Sequence, residues 1–517
     1  MTDPTPFHTG DRRAFLVRSL ALAGAGAAPW FVRDARAADT NRFALGVASG
    51  CPQAESVVLW TRLVGEDLPE QVSVQWEIAR DEGFTQIVAR GVQTAERADA
   101  HSVHVQPREL APARWYWYRF QALGQRSAVG RTRTAPPAGT MESLRFALAS
   151  CQRWDHGEWA AWREVASRDL DLVVFVGDYI YESAGRDTGA RRHPEHEART
   201  LADYRARYAL YKSDPALQDA HARMPWIVTW DDHEVENDYA RDTPEVPDAH
   251  FAQRRAAATQ AYWEHMPLPM SARPRGTQLP LHARYEWGAL ARIHVLDNRQ
   301  FRDPQVCPKP GRNGSNTLLL RECPQFLDAR RSMLGVEQER WLAQGLDAQR
   351  WNLVAQQTLM ARSSWRDTTA PDTRGGMYWS DGWDGYAPAR QRFLDSLSQR
   401  GVNSAVVLSG DVHAHYVADL LTDFDDPSSR IVASEICGTS ISSRGLEQSR
   451  IDAALRFNPH IHYARSDQRG CVVMTLGEHE LAAELLAVDD VHDPRSTVRT
   501  AARFSVEAGR PGIQPRG

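Results

Sequence analysis

Four short apolar runs in this chain end on residues that can hold metal ions or move protons. FALASC ends on Cys151, and VVFVGDYIYE, Val173 to Glu182, sets Asp178 just past a strand-like run with Tyr181 three residues later. TWDDHE carries Asp231, Asp232 and His233, and SGDVHAH carries Asp411, His413 and His415. Each is weak alone, because an aspartate after a strand can cap the next helix, a tyrosine can pack on the core and a histidine can be simply hydrogen-bonded. Together they supply one thiol, one phenol, several carboxylates and several imidazoles at the same kind of place. Packing does not require that combination.

The elements that must position these groups are strands. VVFV closed by Gly177 predicts a strand buried on both faces, as in parallel sheets, where ligands bind beyond the carboxyl ends. RFALASC, the helical spacing of HGEWAAWREVASR and DLVVFVGD form a βαβ-like unit. PWIVTWDDHE, ARIHVLD, NLVAQQTLM, SAVVLSGDVH and RIVASEIC extend the series. Before it, SVVLWTRL, QVSVQWEIA, HSVHVQPREL and RWYWYRFQAL alternate apolar and polar residues between turns, which predicts a β-sandwich of fibronectin or immunoglobulin type. TAPPAGTMES, Thr134 to Ser143, reads as a linker. The expected division is therefore a segment 1–37, a sandwich over 38–137 and a larger α/β domain over 138–517. From about Gln448 onward helix-like and strand-like stretches mix.

With 42% hydrophobic and 25% charged residues over 517 positions, the composition is that of an ordinary globular chain long enough for a large domain and a smaller one. A net charge of -5 gives no footprint for nucleic acid. Residues 1–37 pair Arg12 and Arg13 with a modest apolar stretch and Ala35-Arg36-Ala37. They resemble a twin-arginine export signal cleaved after Ala37, too short in its apolar part to span a bilayer, so the twin-arginine machinery is an expected partner and the periplasm or medium the expected location. Of six cysteines, Cys307 and Cys323 flank a loop rich in Pro, Gly and Asn and are the best disulfide candidates outside the cytoplasm.

The order GDxxY, [N/D]HE and a final pair ending in xH resembles the metallophosphoesterase family, with Gly177-Asp178-Tyr179-Ile180-Tyr181 matching an element of purple acid phosphatases. GVASGCPQAESVVLWTRL, FALASCQ, VVFVGDYIYE, TWDDHEVEND, LDNRQFR, MLGVEQERWL, WDGYAPAR and LSGDVHAHY bring it closer to the PhoD-like alkaline phosphatases, over nearly all of the chain after residue 41. The resemblance implies an α/β core of two packed mixed sheets flanked by helices, following the sandwich. It implies Fe3+ on Cys151, Asp178, Tyr181 and His413, and Ca2+ on Asp178, Asp232 and Asp411, with Asp231 behind them. The implied reaction is hydrolysis of phosphate monoesters and diesters by direct attack of a metal-activated water, with His233 stabilising the transition state or protonating the leaving oxygen. Arg153 and Arg299 are candidates for meeting the substrate phosphate, since guanidinium matches its oxygens, against the reading of each as a structural ion-pair partner. The sequence lacks an identifiable middle histidine ligand and reads GDVH where the wider family has GHxH. Rival readings are a phosphodiesterase or phospholipase D-like enzyme on the same centre, a non-catalytic phosphate- or carbohydrate-binding surface protein, and a nuclease, which the acidic balance disfavours. The tryptophans of WDHGEWAAW and WSDGWDGY are candidates for the pocket mouth. HPEHE, His193 to Glu197, reads as solvated surface.

Overall fold

Runs of Val, Leu, Ile, Ala and Phe without polar interruption place strands where both faces are covered. In the computed structural model, which describes residues 41–185 and 190–516, these runs build two sheets packed face to face. The export signal expected over residues 1–37 lies outside the described residues. Leu144–Ala149, Leu172–Val176 and Trp226–Thr229 pair in parallel, with Val173 opposite both Ala147 and Trp226. Four antiparallel strands from the C-terminal part, beginning with Arg469–Leu476, extend this sheet beside Leu144–Ala149, and Val47–Gly50, Val58–Arg62 and Ser102–Val105 extend it on the other side, to ten strands. The second sheet has seven strands, four of them parallel: Ala291–Val295, Trp351–Ala355, Ala405–Ser409 and Ile431–Cys437.

The sheets share one core, in which Phe146, Leu148, Val174 and Val176 meet Ile293, Val295, Leu353, Val406 and Leu408. Each such side chain contributes about 1.5–3 kcal/mol through burial. Helices cover the outer faces: Ala160–Ser167, Leu201–Lys212, Pro215–Arg223 and Phe251–His265 on the first sheet, Gly335–Gly345, Ala387–Gln399 and Gln448–Leu455 on the second. Two of their starts are written in the sequence as side-chain caps. Thr200 and Asp203 form a reciprocal capping box, and Asp214 caps a helix that opens on Pro215. The expected core of two packed mixed sheets flanked by helices is the observed one.

Gln71–Ala79, Ile87–Glu96 and Trp115–Ala122 belong to a separate five-stranded sheet. It packs on Val47–Gly50, Val58–Arg62 and Ser102–Val105 over a core of its own that includes Leu59, Val74, Ile78, Val103 and Tyr118. That layer is not self-contained, because Gly50 pairs in parallel with Trp226 and the Cys51 amide donates to the Trp226 carbonyl at 3.1 Å. The hydrogen-bonded sheet thus runs unbroken from the N-terminal strands into the central ones. Residues 134–143 contain no helix or strand. Cys307 and Cys323 form a disulfide beside the small antiparallel pair Thr317–Leu319 and Met377–Trp379.

Candidate metal centre

The carboxyl ends of the parallel strands in both sheets open toward one place. Cys151 lies two residues past Leu144–Ala149, Asp178 two past Leu172–Val176, Asp232 three past Trp226–Thr229 and Asp411 two past Ala405–Ser409. Four residues here adopt left-handed backbone: Cys151 at φ 58°, Asp178 at 59°, Asp411 at 66° and His413 at 52°. Such conformations cost of order 1 kcal/mol or more each and cluster at functional sites. Two glycines permit the convergence. A Cβ on Gly177, itself at φ +112°, would stand 2.5 Å from the Asp231 Cβ, and one on Gly410 would stand 2.4 Å from the Ser150 Oγ.

Tyr181 links the loops. Its hydroxyl donates to Asp178 Oδ2 at 2.8 Å, lies 3.1 Å from His413 Nε2 and accepts from Ser443 Oγ at 2.7 Å. His413 donates from Nδ1 to the Arg444 carbonyl at 2.7 Å, which leaves Nε2 facing Tyr181. Donor atoms of Cys151, Asp178 and His413 lie within 4.8 Å of one another, and so do those of Asp178, Asp232 and His233, with Asp178 common to both sets. Burial, reinforced by the Asp178 charge, pushes the Cys151 thiol and the Tyr181 phenol far above their ordinary values. Burial also pushes the Asp411 carboxyl up, against the pull of Arg299 and with the charges of Asp232, Asp381 and Asp178 adding to it. Asp178 Oδ1 and Asp411 Oδ2 are buried without a hydrogen-bond partner. A packed set of acidic donors with orphaned oxygens fits cations: thiol, phenol, carboxylate and imidazole on one side, carboxylates with the His233 imidazole at their edge on the other.

His233 sits at the edge of the second set, its side chain 15% exposed. Its Nδ1 donates to Glu182 Oε2 at 2.7 Å, and its ring lies 4.1 Å from that of Tyr181. Desolvation alone would lower the imidazole, but Glu182, Asp178 and Asp232 outweigh it and hold His233 well above its ordinary value. Burial would raise Glu182, yet the His233 charge and hydrogen bond bring it down to about 2. Glu182 also accepts from the Asn237 amide at 2.9 Å.

Both arginines considered for the substrate phosphate are engaged elsewhere. Arg299 is fully buried, donates from Nε to Asp231 and pairs with Asp381 at 2.9 Å and Asp232 at 3.6 Å. With no exposed surface, the guanidinium braces the aspartates from behind instead of meeting substrate. Arg153 donates to Asp155 at 2.8 Å, Ser183 at 2.8 Å and the Ala184 carbonyl at 3.0 Å, so it ties down the loop after Tyr181. HPEHE is solvated at Glu195 and His196 as expected, whereas His193 is buried beside Tyr211 and Glu197 pairs with Arg254 at 2.8 Å. His415 is a structural residue between the Leu486 carbonyl and the Thr439 amide.

A pocket of about 440 Å³ opens over this cluster, lined among others by Asp178, Asp232, His233, Asp411, His413, Trp365, Trp379 and Arg444. Of the tryptophans expected at its mouth, Trp379 and Trp383 line it, whereas Trp159 and Trp162 belong to the core. Sequence reasoning passed over Glu234. Its carboxylate accepts the amides of Asp178, Tyr179 and Asp231, and so fixes two of the converging loops. It also passed over Ser443 and Asp238, whose amide donates to Asp232 Oδ2 at 2.7 Å. The one available signal was the Glu that closes WDDHE.

Comparison with known proteins places this architecture among the phosphoric ester hydrolases. The family model described as PhoD-like phosphatase matches residues 146–485, and that of the PhoD-like phosphatase N-terminal domain matches residues 27–136. Alkaline phosphatase D of Bacillus subtilis (strain 168) is 39% identical over 534 aligned positions, which cover 98% of this chain and 89% of that protein. A solved structure of PhoD superposes with a TM-score of 0.86 at 40% identity, covering 92% of each chain. Purple acid phosphatase PPD1 from yellow lupin shares the fold, with a TM-score of 0.53 at 11% identity over 90% of this chain and 74% of that one. The chain belongs to the PhoD-like phosphatase family, and it is a phosphoric ester hydrolase.

Proposed function

We propose that the protein is an exported, metal-dependent phosphatase of alkaline phosphatase D type that cleaves phosphate monoesters and diesters, with Cys151, Asp178, Tyr181 and His413 holding Fe3+ and Asp178, Asp232 and Asp411 holding Ca2+. When bound, such ions neutralise charge on the phosphoryl oxygens and acidify a water for in-line attack on phosphorus. The observation that carries the reading is the Tyr181 hydroxyl lying between Asp178 Oδ2 and His413 Nε2, because a phenol so placed brings a third anionic donor to a site already acidic. The carboxylates of Asp178, Asp232 and Asp411 on the other side suit a hard ion.

The residues divide the remaining work. Asp178 joins the two donor sets. Glu234 and Ser443 hold the loops at the right separation. His233, oriented by its hydrogen bond to Glu182, presents a proton to the leaving oxygen, a role typically worth ~10² to 10⁴ in rate. A pocket of about 440 Å³ lined by Trp365 and Trp379 as well as by the acidic cluster supports diesters beside monoesters. Residues 1–37 support export. Among the described residues no helix is long and apolar enough to cross a membrane.

His233→Ala tests the assignment through kcat and bound metal measured on the same preparation. A large fall in kcat with iron and calcium retained is expected. Loss of metal in parallel with activity would make His233 a ligand beside Asp178 and Asp232 and overturn its role as proton donor.

A further inference from the structure

The pocket carries two guanidiniums that the metal centre does not use. Arg153, Arg299, Arg302 and Arg390 around the site are all committed to carboxylates. Arg444 and Arg450 differ: both line the pocket and both are exposed, and neither has a carboxylate partner within 4.0 Å among the described residues. They sit on one short segment. Arg444 is anchored by its main chain, its carbonyl accepting from His413 Nδ1 at 2.7 Å and its amide donating to His156 Nδ1 at 3.1 Å. Arg450 lies one turn or so further on, in the helix Gln448–Leu455, with its guanidinium carbon 5.7 Å from the Trp365 ring centroid.

The same wall is apolar between the charges. Trp365, Trp379, Leu446 and Ile451 line it, the two tryptophans partly exposed and Leu446 40% exposed. A planar or aliphatic group packs there at little entropic cost, and a fixed cation next to it selects by charge more than by contact area. We infer that the segment 444–451, with Trp365 and Trp379, reads the ester group of the substrate: it favours a phosphate ester whose alcohol portion pairs an apolar body with an anionic substituent, which Arg444 and Arg450 receive. The scissile phosphate stays at the acidic cluster, and the second negative charge lies on the basic rim.

The test needs two aryl monoesters of similar size and opposite remote charge, 4-carboxyphenyl phosphate and 4-(aminomethyl)phenyl phosphate, with the ratio of their kcat/KM values compared between native and variant by phosphate release from the metal-loaded protein. The native enzyme is expected to favour the carboxylated ester. Arg444→Gln and Arg450→Gln, both at exposed positions, are each expected to shrink that preference about three- to tenfold, and Arg450→Glu to reverse it. Competitive inhibition by the corresponding phosphonates, which cannot turn over, is expected to change in the same ratio and reports binding alone. A native preference for the amine, a ratio within twofold of native in both glutamine variants, or equal loss on both esters would overturn the inference.

Discussion

Replacing Glu182 by Gln changes almost nothing in shape and removes the charge of the carboxylate that His233 Nδ1 touches. The native carboxylate serves two donors with two oxygens, the imidazole at 2.7 Å and the Asn237 amide at 2.9 Å. A glutamine has one acceptor oxygen, so one donor must face an NH2 group. Losing a hydrogen bond to a charged partner costs about 1.5–3 kcal/mol. If the protonated His233 acts in the transition state, that loss appears as a kcat lower by about ten- to a hundredfold. Stability follows the same pair. Glu182 titrates at about 2 in the folded protein, below its ordinary 4.5, so its stabilising share is present above pH 4.5 and is lost as pH falls toward 2. The shift corresponds to about 3 kcal/mol, and Glu182→Gln should flatten the denaturant-measured stability across that window. The assay is kcat, metal content and urea unfolding at several pH values on one preparation. A kcat within twofold of native, or metal lost along with activity, would refute the reasoning.

Arg299→Met should be among the most destabilising changes near the site, since it strands the buried Asp231, whereas Asp381 keeps its pair with Arg302; about 3–5 kcal/mol is expected by chemical denaturation, with substrate KM a secondary effect. Tyr181→Phe removes the hydroxyl shared by Asp178, His413 and Ser443, and is expected to lower both iron content and kcat while calcium content is kept, by elemental analysis. Reducing the Cys307–Cys323 disulfide, which closes a loop of 16 residues, should cost about 3 kcal/mol by the loop-entropy model and leave the site metals untouched.

How much of this was legible in the sequence depended on whether the signal was local. The strands read correctly because a run such as LVVFV at Leu172–Val176 is apolar at every position and stops at a glycine. The same local grammar located Cys151, Asp178, Tyr181, Asp232, His233, Asp411 and His413, which the structure gathers at the strand ends of both sheets. What failed was partner assignment. Arg299 stays open between a phosphate binder and an ion-pair partner in the sequence, because its aspartate partners lie 68 and 82 residues away in the chain, where no spacing rule reaches. Glu234 and Ser443 act on main-chain amides and a phenol across loops, and such contacts leave no periodic trace. The C-terminal strands were hard to place for a related reason: Arg469–Leu476 is fixed by pairing with Leu144–Ala149, more than 300 residues earlier.

The left-handed backbone at Cys151, Asp178, Asp411 and His413 connects the two halves of that account. None of these residues is glycine, so each position is paid for by contacts elsewhere. The contacts are visible. The Cys151 amide donates to the Gly177 carbonyl at 3.1 Å, the Asp178 amide to Glu234 at 3.1 Å, and the His413 imidazole to the Arg444 carbonyl at 2.7 Å. A strand that simply ran on would point successive side chains to opposite faces. Turning the backbone at the last residue sends the thiol, the carboxylates and the imidazole forward, off the strand ends and into one shared space. The donor cluster is therefore a product of how both sheets terminate, which is why its residues can be read from strand ends while the residues that hold them there cannot.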